Sequence, residues 1–352
     1  MKSVLITPEG IQKNLKNIKP LDAICEYIWN GFDAFATQVE VELNRNKMGL
    51  INMITIRDNG CGINYDELKY KFQPFNDSKK ANASQKTNHT LPHGRKGIGR
   101  LTFFAFSQTA RWDTVYRKDG DTYEYYISMN KDSLNQYDDN GEKLPCKVEK
   151  LTGTKVSFTQ LESMEKEDII NKIKEEFFWF LELNKENDYK IIVDKECINY
   201  SDFVEHTENM DVSKYGCKET YDVRFVQWKQ KLGNEYSRIY YLGSDNKERY
   251  KETTKLNKRA DHFFHSVYIK SSYFDDFHFT NEEIEGQGDL FPNKCDDEYK
   301  ILINGINTFL IKYRSRYLKE ASDAYISKLI DDKLYPEFDT TNFIQAYQKK
   351  EL

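Results

Sequence analysis

The spacing of apolar residues predicts a helix near the start of the chain. Between Ala23 and Ala34 the apolar residues Ile24, Ile28 and Phe32 recur at intervals of four, which is typical of a helix that buries one face. The segments at 39–43 and 51–57 alternate apolar and polar residues, and the turn at 46–50 between them predicts an antiparallel hairpin.

The rest of the chain also contains segments with the helical spacing and segments with the alternation of a strand. Further strands are predicted at 110–117, 122–128, 153–159, 189–193, 222–228 and 237–242. Helical patterns cover 165–183 and 296–332, and a helix start is predicted after Gly99, at 101–107. The mixture predicts an α+β fold. We expect an N-terminal domain at 1–165, a second α/β domain at 166–295 and a C-terminal helical segment at 296–352.

Composition restricts the class of protein further. The chain has 352 residues, a net charge of −5 and a mean hydropathy of −0.78, which is typical of a soluble protein with no general attraction to nucleic acid or anionic lipid. No apolar run of eighteen residues and no leader are visible, and the six cysteines are scattered. We therefore expect a cytoplasmic protein with reduced thiols and no membrane partner.

One polar column interrupts the first predicted helix. Glu26, Asn30 and Asp33 are spaced by four and three residues, so they lie on one helix face. Asn30 offers a neutral oxygen to a hard cation, Glu26 a base for a water, and Asp33 a further carboxylate. Alone, the column is more typical of a solvated helix face than of a functional site.

Two glycine-rich segments follow. Asp58-Asn-Gly-Cys-Gly62 ends a predicted strand and by itself is ordinary turn chemistry. Gly94-Arg-Lys-Gly-Ile-Gly99 could present backbone N–H groups to phosphates. This loop lacks the Lys-Ser/Thr of a Walker loop and the glycine order of a Rossmann fingerprint.

Taken in order, these segments resemble the four signatures of the GHKL ATPase superfamily, with Gly153-Thr154 as the fourth. That superfamily includes gyrase B, the ninety-kilodalton heat-shock chaperones, histidine kinases and MutL. The resemblance covers roughly residues 5–160 and implies a layered α/β sandwich, the Bergerat fold, that binds Mg-ATP. It is closest to bacterial MORC-like or heat-shock-like ATPases.

The resemblance implies a role for each matched residue. Glu26 would be the general base for the attacking water and Asn30 the magnesium ligand, with Asp33 supporting the site. Asp58 would bind the adenine amino group, with Thr154 beside it through a water.

The glycines and basic residues would surround the rest of the nucleotide. Gly60 and Gly62 would make room for the base, and residues 76–93 would form a lid. Lys79 and Lys80 would be further phosphate contacts. The phosphate loop itself would consist of Gly94, Arg95, Lys96, Gly97, Ile98 and Gly99.

Less can be inferred after residue 165. In the hydrolysing branches a transducer domain supplies a lysine or arginine to the γ-phosphate, and the segment 186–290 has a suitable length. Its candidates for that residue are Lys251, Lys255, Lys258 and Arg259.

We therefore expect a slow, Mg-dependent ATPase whose ATP-dependent lid closure and homodimerisation switch a protein effector. The type of ATPase alone suggests antiviral defence. Alternatives are a nucleotide-gated scaffold with little turnover, a DNA clamp and a histidine-kinase-like phosphotransferase. No histidine precedes His89, so a self-contained histidine kinase is disfavoured.

Two other features have simpler explanations. His262 and His265, near several acidic residues, are interpreted as ordinary histidines rather than metal ligands. The C-terminal helix carries four basic residues among acidic ones, which favours a solvated face over nucleic-acid contact. These basic residues are Lys312, Arg314, Arg316 and Lys319.

Overall fold

The computed structural model describes residues 7–72, 99–139, 145–232, 237–257, 261–279 and 292–335. Its α-helices are α1 (Pro8–Leu15), α2 (Pro20–Asp33), α3 (Leu68–Phe72), α4 (Lys166–Leu183) and α5 (Asp297–Asp331). Strands β1 to β8 are Gln38–Arg45, Ile51–Asp58, Ser107–Lys118, Asp121–Asn130, Cys146–Val148, Gly153–Leu161, Lys190–Val193 and Glu196–Cys197. Strands β9 to β13 are Val204–Met210, Asp222–Trp228, Arg238–Leu242, Glu248–Thr253 and Phe264–Lys270.

Eight strands form the first sheet, in the order β5-β4-β3-β6-β2-β1-β7-β8. All neighbours are antiparallel except β1 and β7, which run parallel. The register places Asp58 of β2 opposite Thr154 of β6, and Thr154 opposite Thr114 of β3. Three polar residues from distant parts of the chain therefore lie side by side across three strands.

Helix α2 packs on β1 and β2 and against α4. Its Trp29 ring lies 4.4 Å from the Phe177 ring and 4.8 Å from the Phe180 ring of α4, measured between centroids. Ile24 and Ile28 are fully buried in the same core, as their helical spacing predicted. Burial of large aromatic side chains stabilises this helix pair strongly.

The second sheet has five strands in the order β12-β11-β13-β10-β9. Helix α5 buries Leu302, Ile306 and Leu310 in a core with this sheet, while its C-terminal half is largely exposed. Aromatic contacts connect the two parts of the chain, since Trp179 of α4 stacks on Tyr240 of β11 at a centroid distance of 5.9 Å.

The predicted helices and strands are confirmed, with small shifts at their ends. The helix start predicted at 101–107 is instead a 3-10 helix, Gly99–Ala105, because β3 already begins at Ser107 and leaves room for only short turns. The domain boundaries stay a prediction. Strands β7 and β8 belong to the first sheet, so that sheet extends past residue 165 to residue 197.

In the described ranges, no helix combines the length and apolar character that crossing a membrane requires. Asp188, in the turn before β7, and Gln160, next to the end of β6, adopt left-handed backbone conformations.

Candidate functional site

The polar column of α2 is the exposed stripe of an otherwise buried helix. Glu26, Asn30 and Asp33 are half-buried, whereas their neighbours Tyr27 and Trp29 are buried. Pro20 occupies the first turn, where its missing N–H costs nothing and its fixed φ favours a helix start. The structure thus brings the three predicted side chains to one face, at the edge of the core.

Gly99 lies directly against this column. A Cβ built on Gly99 would be 2.9 Å from Glu26 Oε2 and within 3.9 Å of both Asn30 amide atoms. The last glycine of the predicted phosphate loop is therefore adjacent to the predicted base and the predicted magnesium ligand. These residues are about seventy positions apart in sequence.

Helix α2 also contacts the end of β2. A Cβ on Gly31 would lie 3.0 Å from the Asp58 Cβ and 2.9 Å from Val39 Cγ2, so only glycine fits without a shift. Gly31 therefore lets the helix approach the strand that carries Asp58.

Two backbone amides hold the half-buried Asp58 carboxylate in place. Gly60 N and Thr154 N donate to the same oxygen, Oδ1, at 2.9 and 3.2 Å. Burial raises the pKa of Asp58 from 3.8 to about 6, and the two amide hydrogen bonds oppose that shift. Neither bond uses Oδ2, which leaves that oxygen able to accept a hydrogen bond from a ligand amine.

The glycines near Asp58 are required by close backbone approach. A Cβ on Gly60 would be 2.5 Å from Ala34 O, and one on Gly62, at φ +72°, would be 2.0 Å from Val115 O. Each glycine thus has a structural reason that is independent of any ligand. Whether they also make room for a base, as the sequence suggested, stays a prediction.

Thr114, which pairs with the predicted Thr154 beside Asp58, was not predicted from the sequence. Thr114 Oγ1 lies 3.1 Å from Thr154 Oγ1 and accepts a hydrogen bond from Ile63 N at 2.9 Å. Both threonines are buried. Only the register of β3 with β6 reveals Thr114, because nothing in its local sequence distinguishes it from other strand threonines.

Several predicted residues lie outside the described part of the chain. They are Lys79, Lys80, Gly94, Arg95, Lys96, Gly97 and Ile98, the lid segment 76–93, and the transducer candidates Lys258 and Arg259. Their roles stay predictions.

The remaining transducer candidates are described. Lys251 has its ammonium 5.3 Å from the centroid of the Trp179 ring, a cation–π distance, and Lys255 is exposed. Lys251 is thus next to the aromatic contact that connects the second sheet to α4. These contacts do not test whether Lys251 approaches the γ-phosphate, so that role stays a prediction.

The histidine pair is well explained by the fold. His265 is fully buried, its Nε2 lies 3.0 Å from Thr254 Oγ1, and burial lowers its pKa to about 4. His262 is exposed. Among the described residues, no three His, Cys, Asp or Glu side chains are grouped as a metal site would need.

The basic residues of α5 are partly engaged within the protein. Arg314 pairs with Asp261 at 2.6 Å, and Arg316 lies over the Tyr313 ring at 4.8 Å. This arrangement favours the solvated-face interpretation for this helix.

Comparison with known proteins identifies the N-terminal part. Residues 18–167 match the family described as Histidine kinase-, DNA gyrase B-, and HSP90-like ATPase. These residues form a GHKL ATPase domain. The match covers the polar column, the Asp58 turn, Gly99 and Thr154, which are the parts of the site described above.

Two curated proteins are similar over short segments. A protein named as a MutL homolog from Schizosaccharomyces pombe is 44% identical over 61 residues, which cover 17% of this chain and 8% of that protein. The type II restriction enzyme HgiDII of Herpetosiphon aurantiacus is 28% identical over 120 residues, which cover 34% of this chain and 17% of that protein. The chain matches less than a fifth of either relative's length.

Solved structures show distant similarity. The ATPase region of Saccharomyces cerevisiae topoisomerase II has 13% identity and a TM-score of 0.37, covering 71% of this chain and 72% of that chain. The Aquifex aeolicus MutL ATPase domain complexed with ADP has 15% identity and a TM-score of 0.34, covering 72% and 92%.

Proposed function

We propose that this protein binds Mg-ATP on its N-terminal sheet and hydrolyses it slowly. The observation that carries the proposal is the contact of Gly99 with Glu26 and Asn30. A backbone segment from a glycine loop then lies beside a carboxylate that can activate water and an amide that can bind a cation.

The base end of the nucleotide would lie at Asp58. A carboxylate oxygen that is already fixed by two N–H groups orients the other oxygen toward an incoming donor, so little ordering is needed on binding. Asp58 Oδ2 would accept from the adenine amino group, and the buried Thr154 hydroxyl would contact the base through a water. Gly31 places this end close to α2, so one helix spans both ends of the site.

The magnesium ion fits the donors that are present. Mg²⁺ keeps several waters and takes one or two protein oxygens together with phosphate oxygens. The Asn30 amide oxygen beside Gly99 would supply such a ligand, and the ion would neutralise charge that develops on the phosphates. Asp33, on the same face of α2, would support Glu26 or the ion.

The structure also supports a route for switching a partner. Trp29 flanks the polar column on α2, one helical turn from Glu26 and Asp33. Its ring lies 6.0 Å from Trp179, which stacks on Tyr240 of the second sheet. A nucleotide-dependent shift of α2 would therefore change the aromatic contacts that connect α2 and α4 to the second sheet, which is the transducer-like part of the chain. We propose that ATP binding drives homodimerisation of a cytoplasmic protein and changes its affinity for an effector.

ATP turnover and ATP affinity should be measured on the wild type and on Glu26→Ala, with Glu42→Ala, an exposed glutamate on β1, as the control. We expect the wild type and Glu42→Ala to hydrolyse ATP. Glu26→Ala should bind ATP but turn it over at least tenfold more slowly, because the attacking water loses its general base.

The other outcomes separate the alternatives. If none of the three proteins binds ATP, the proposed function is wrong. If all three bind and none hydrolyses, the protein is a nucleotide-gated scaffold. Equal turnover by wild type and Glu26→Ala would show that Glu26 is not the general base, while the assignment of ATP hydrolysis would stand.

A further inference from the structure

Three hydrogen bonds to backbone carbonyls hold the segment that contains Gly99. Tyr27 Oη donates to Arg100 O at 2.8 Å, and Thr102 Oγ1 donates to Gly99 O at 2.8 Å. The Arg100 guanidinium in turn donates to Phe72 O at 2.8 Å. Tyr27 and Thr102 are almost completely buried, so these bonds are shielded from water.

The segment needs such support. Residues Gly99–Ala105 form a 3-10 helix of seven residues, and a helix of this type has poor internal hydrogen-bond geometry and little stability alone. Its position relative to α2 must therefore come from tertiary contacts such as the bond from Tyr27, while the bond from Thr102 lies within the 3-10 helix and holds the Gly99 carbonyl. Tyr27 is the residue after Glu26, so the same turn of α2 carries the predicted base and the anchor of Gly99.

We propose that Tyr27 and Thr102 are positioning residues for ATP hydrolysis, which hold the Gly99–Arg100 backbone against Glu26 and Asn30. This inference rests on the proposed function. Neither residue belongs to the glycine or acidic signatures, and neither side chain faces the polar column. Both act through the backbone that they bind.

Burial makes the hydroxyl of Tyr27 a dedicated donor. Burial raises the pKa of Tyr27 well above its usual range, so the phenol stays protonated, and the Thr102 side chain and the Phe103 amide also contact it. The ring packs edge-on against Phe158 at 4.7 Å and Phe106 at 6.5 Å. Phenylalanine would keep these ring contacts and lose the polar contacts of the hydroxyl, among them the hydrogen bond to Arg100 O.

The chain offers a matched control. The hydroxyl of Tyr125, on β4 of the same sheet, is buried and makes no hydrogen bond to the described residues. Tyr27→Phe and Tyr125→Phe thus remove the same atom from two buried sites, and only the first frees a carbonyl beside Gly99. Thr102→Val is the second test variant, since it keeps the side-chain shape and removes the donor to Gly99 O.

The experiment measures kcat, the affinity for ATP and the thermal unfolding midpoint of all four proteins, with rates normalised to the fraction able to bind ATP. We expect Tyr27→Phe and Thr102→Val to lower kcat at least fivefold per binding-competent molecule. Tyr125→Phe should stay within twofold of wild type. A purely structural role would shift the unfolding midpoint and the competent fraction but leave the normalised kcat unchanged.

The outcomes are distinguishable from those of the proposed function. If wild type binds and hydrolyses ATP while both variants match Tyr125→Phe in normalised kcat, the positioning role is overturned and the ATPase assignment stands. If wild type does not bind ATP, the proposed function fails and this inference fails with it.

Discussion

Gly99 lies beside Glu26, although about seventy residues of sequence separate them: a Cβ on Gly99 would lie 2.9 Å from Glu26 Oε2. The atom in the way is the end of a flexible side chain, so an added methyl group would move the carboxylate rather than the backbone. The contact therefore makes the position of the predicted base sensitive to a substitution that leaves the fold intact.

We expect Gly99→Ala to reduce ATP turnover at least tenfold while it changes the free energy of unfolding by less than about 1 kcal/mol. Gly10→Ala is the control, since a Cβ there would meet only Thr7 Oγ1, at 3.4 Å. Steady-state kinetics and urea unfolding of both variants provide the measurement. Unchanged turnover in Gly99→Ala would show that hydrolysis does not depend on the position that the Glu26 carboxylate has in the wild type.

Protonation of Asp58 should weaken binding of the adenine base. With Oδ1 occupied by two N–H groups, a proton added near pH 6 goes to Oδ2 and blocks it as an acceptor. Adenosine affinity, measured by NMR titration, should fall severalfold between pH 7.5 and pH 5. Adenosine is the suitable probe because it has no phosphate that titrates in this range.

Asp58→Asn provides the control for that prediction. The amide cannot titrate, so its adenosine affinity should be weaker than that of wild type at pH 7.5 and independent of pH from 7.5 to 5. If the adenosine affinity of the wild type does not vary over this pH range, Asp58 is not a pH-sensitive contact of the base.

The same carboxyl should affect folding stability. Its pKa is about 6 in the folded protein, against an ordinary value of 3.8, so between these values the folded state binds a proton that the unfolded chain has lost. The free energy of unfolding contributed by Asp58 therefore falls as the pH rises from 4 to 6 and stays low above 6. Urea unfolding of wild type and Asp58→Asn across this range should show a difference with this slope, and a difference in the opposite direction would contradict the pKa shift.

Thr114→Val should weaken ATP binding, whereas Thr109→Val should not. Both threonines pair with a threonine of β6, Thr114 with Thr154 at 3.1 Å and Thr109 with Thr159 at 2.5 Å. Thr109→Val removes the bond to Thr159, whereas Thr114→Val removes the bond to Thr154 and also the bond from Ile63 N. Each lost hydrogen bond costs about 1 kcal/mol of stability. Only Thr114 is next to Asp58, so equal ATP affinities in calorimetry would separate this threonine pair from the nucleotide site.

Arg224→Met should destabilise the fold. Glu182 at the end of α4 is 3% exposed and accepts from Arg224 of β10 at 3.0 Å and from Tyr200 Oη at 2.8 Å. Loss of the guanidinium leaves a buried carboxylate with one partner fewer, and we expect a loss of about 2–3 kcal/mol in urea unfolding. Lys190→Met breaks a solvent-exposed pair with Asp188, so its effect on stability should be much smaller than that of Arg224→Met. Similar costs for the two variants would contradict a structural role for the Arg224 pair.

The local pattern of the sequence determined the helix that carries the site. Spacings of four and three place Glu26, Asn30 and Asp33 on one face of α2, because a helix has 3.6 residues per turn regardless of its surroundings. Alternation likewise predicted the β1–β2 hairpin, and the strand that ends at Asp58. The order of the glycine and acidic signatures indicated the superfamily, which the family match confirmed.

Only the tertiary structure decided which of these residues meet. The register of β2, β6 and β3 brings Thr154 to Asp58 and adds Thr114, and the packing of the 3-10 helix on α2 brings Gly99 to Glu26 and Tyr27 to Arg100. Strand β7 joins the first sheet parallel to β1, which no nearby pattern predicts. Local periodicity reflects a residue's own helix or strand, whereas strand pairing and helix packing depend on the free energy of the whole core.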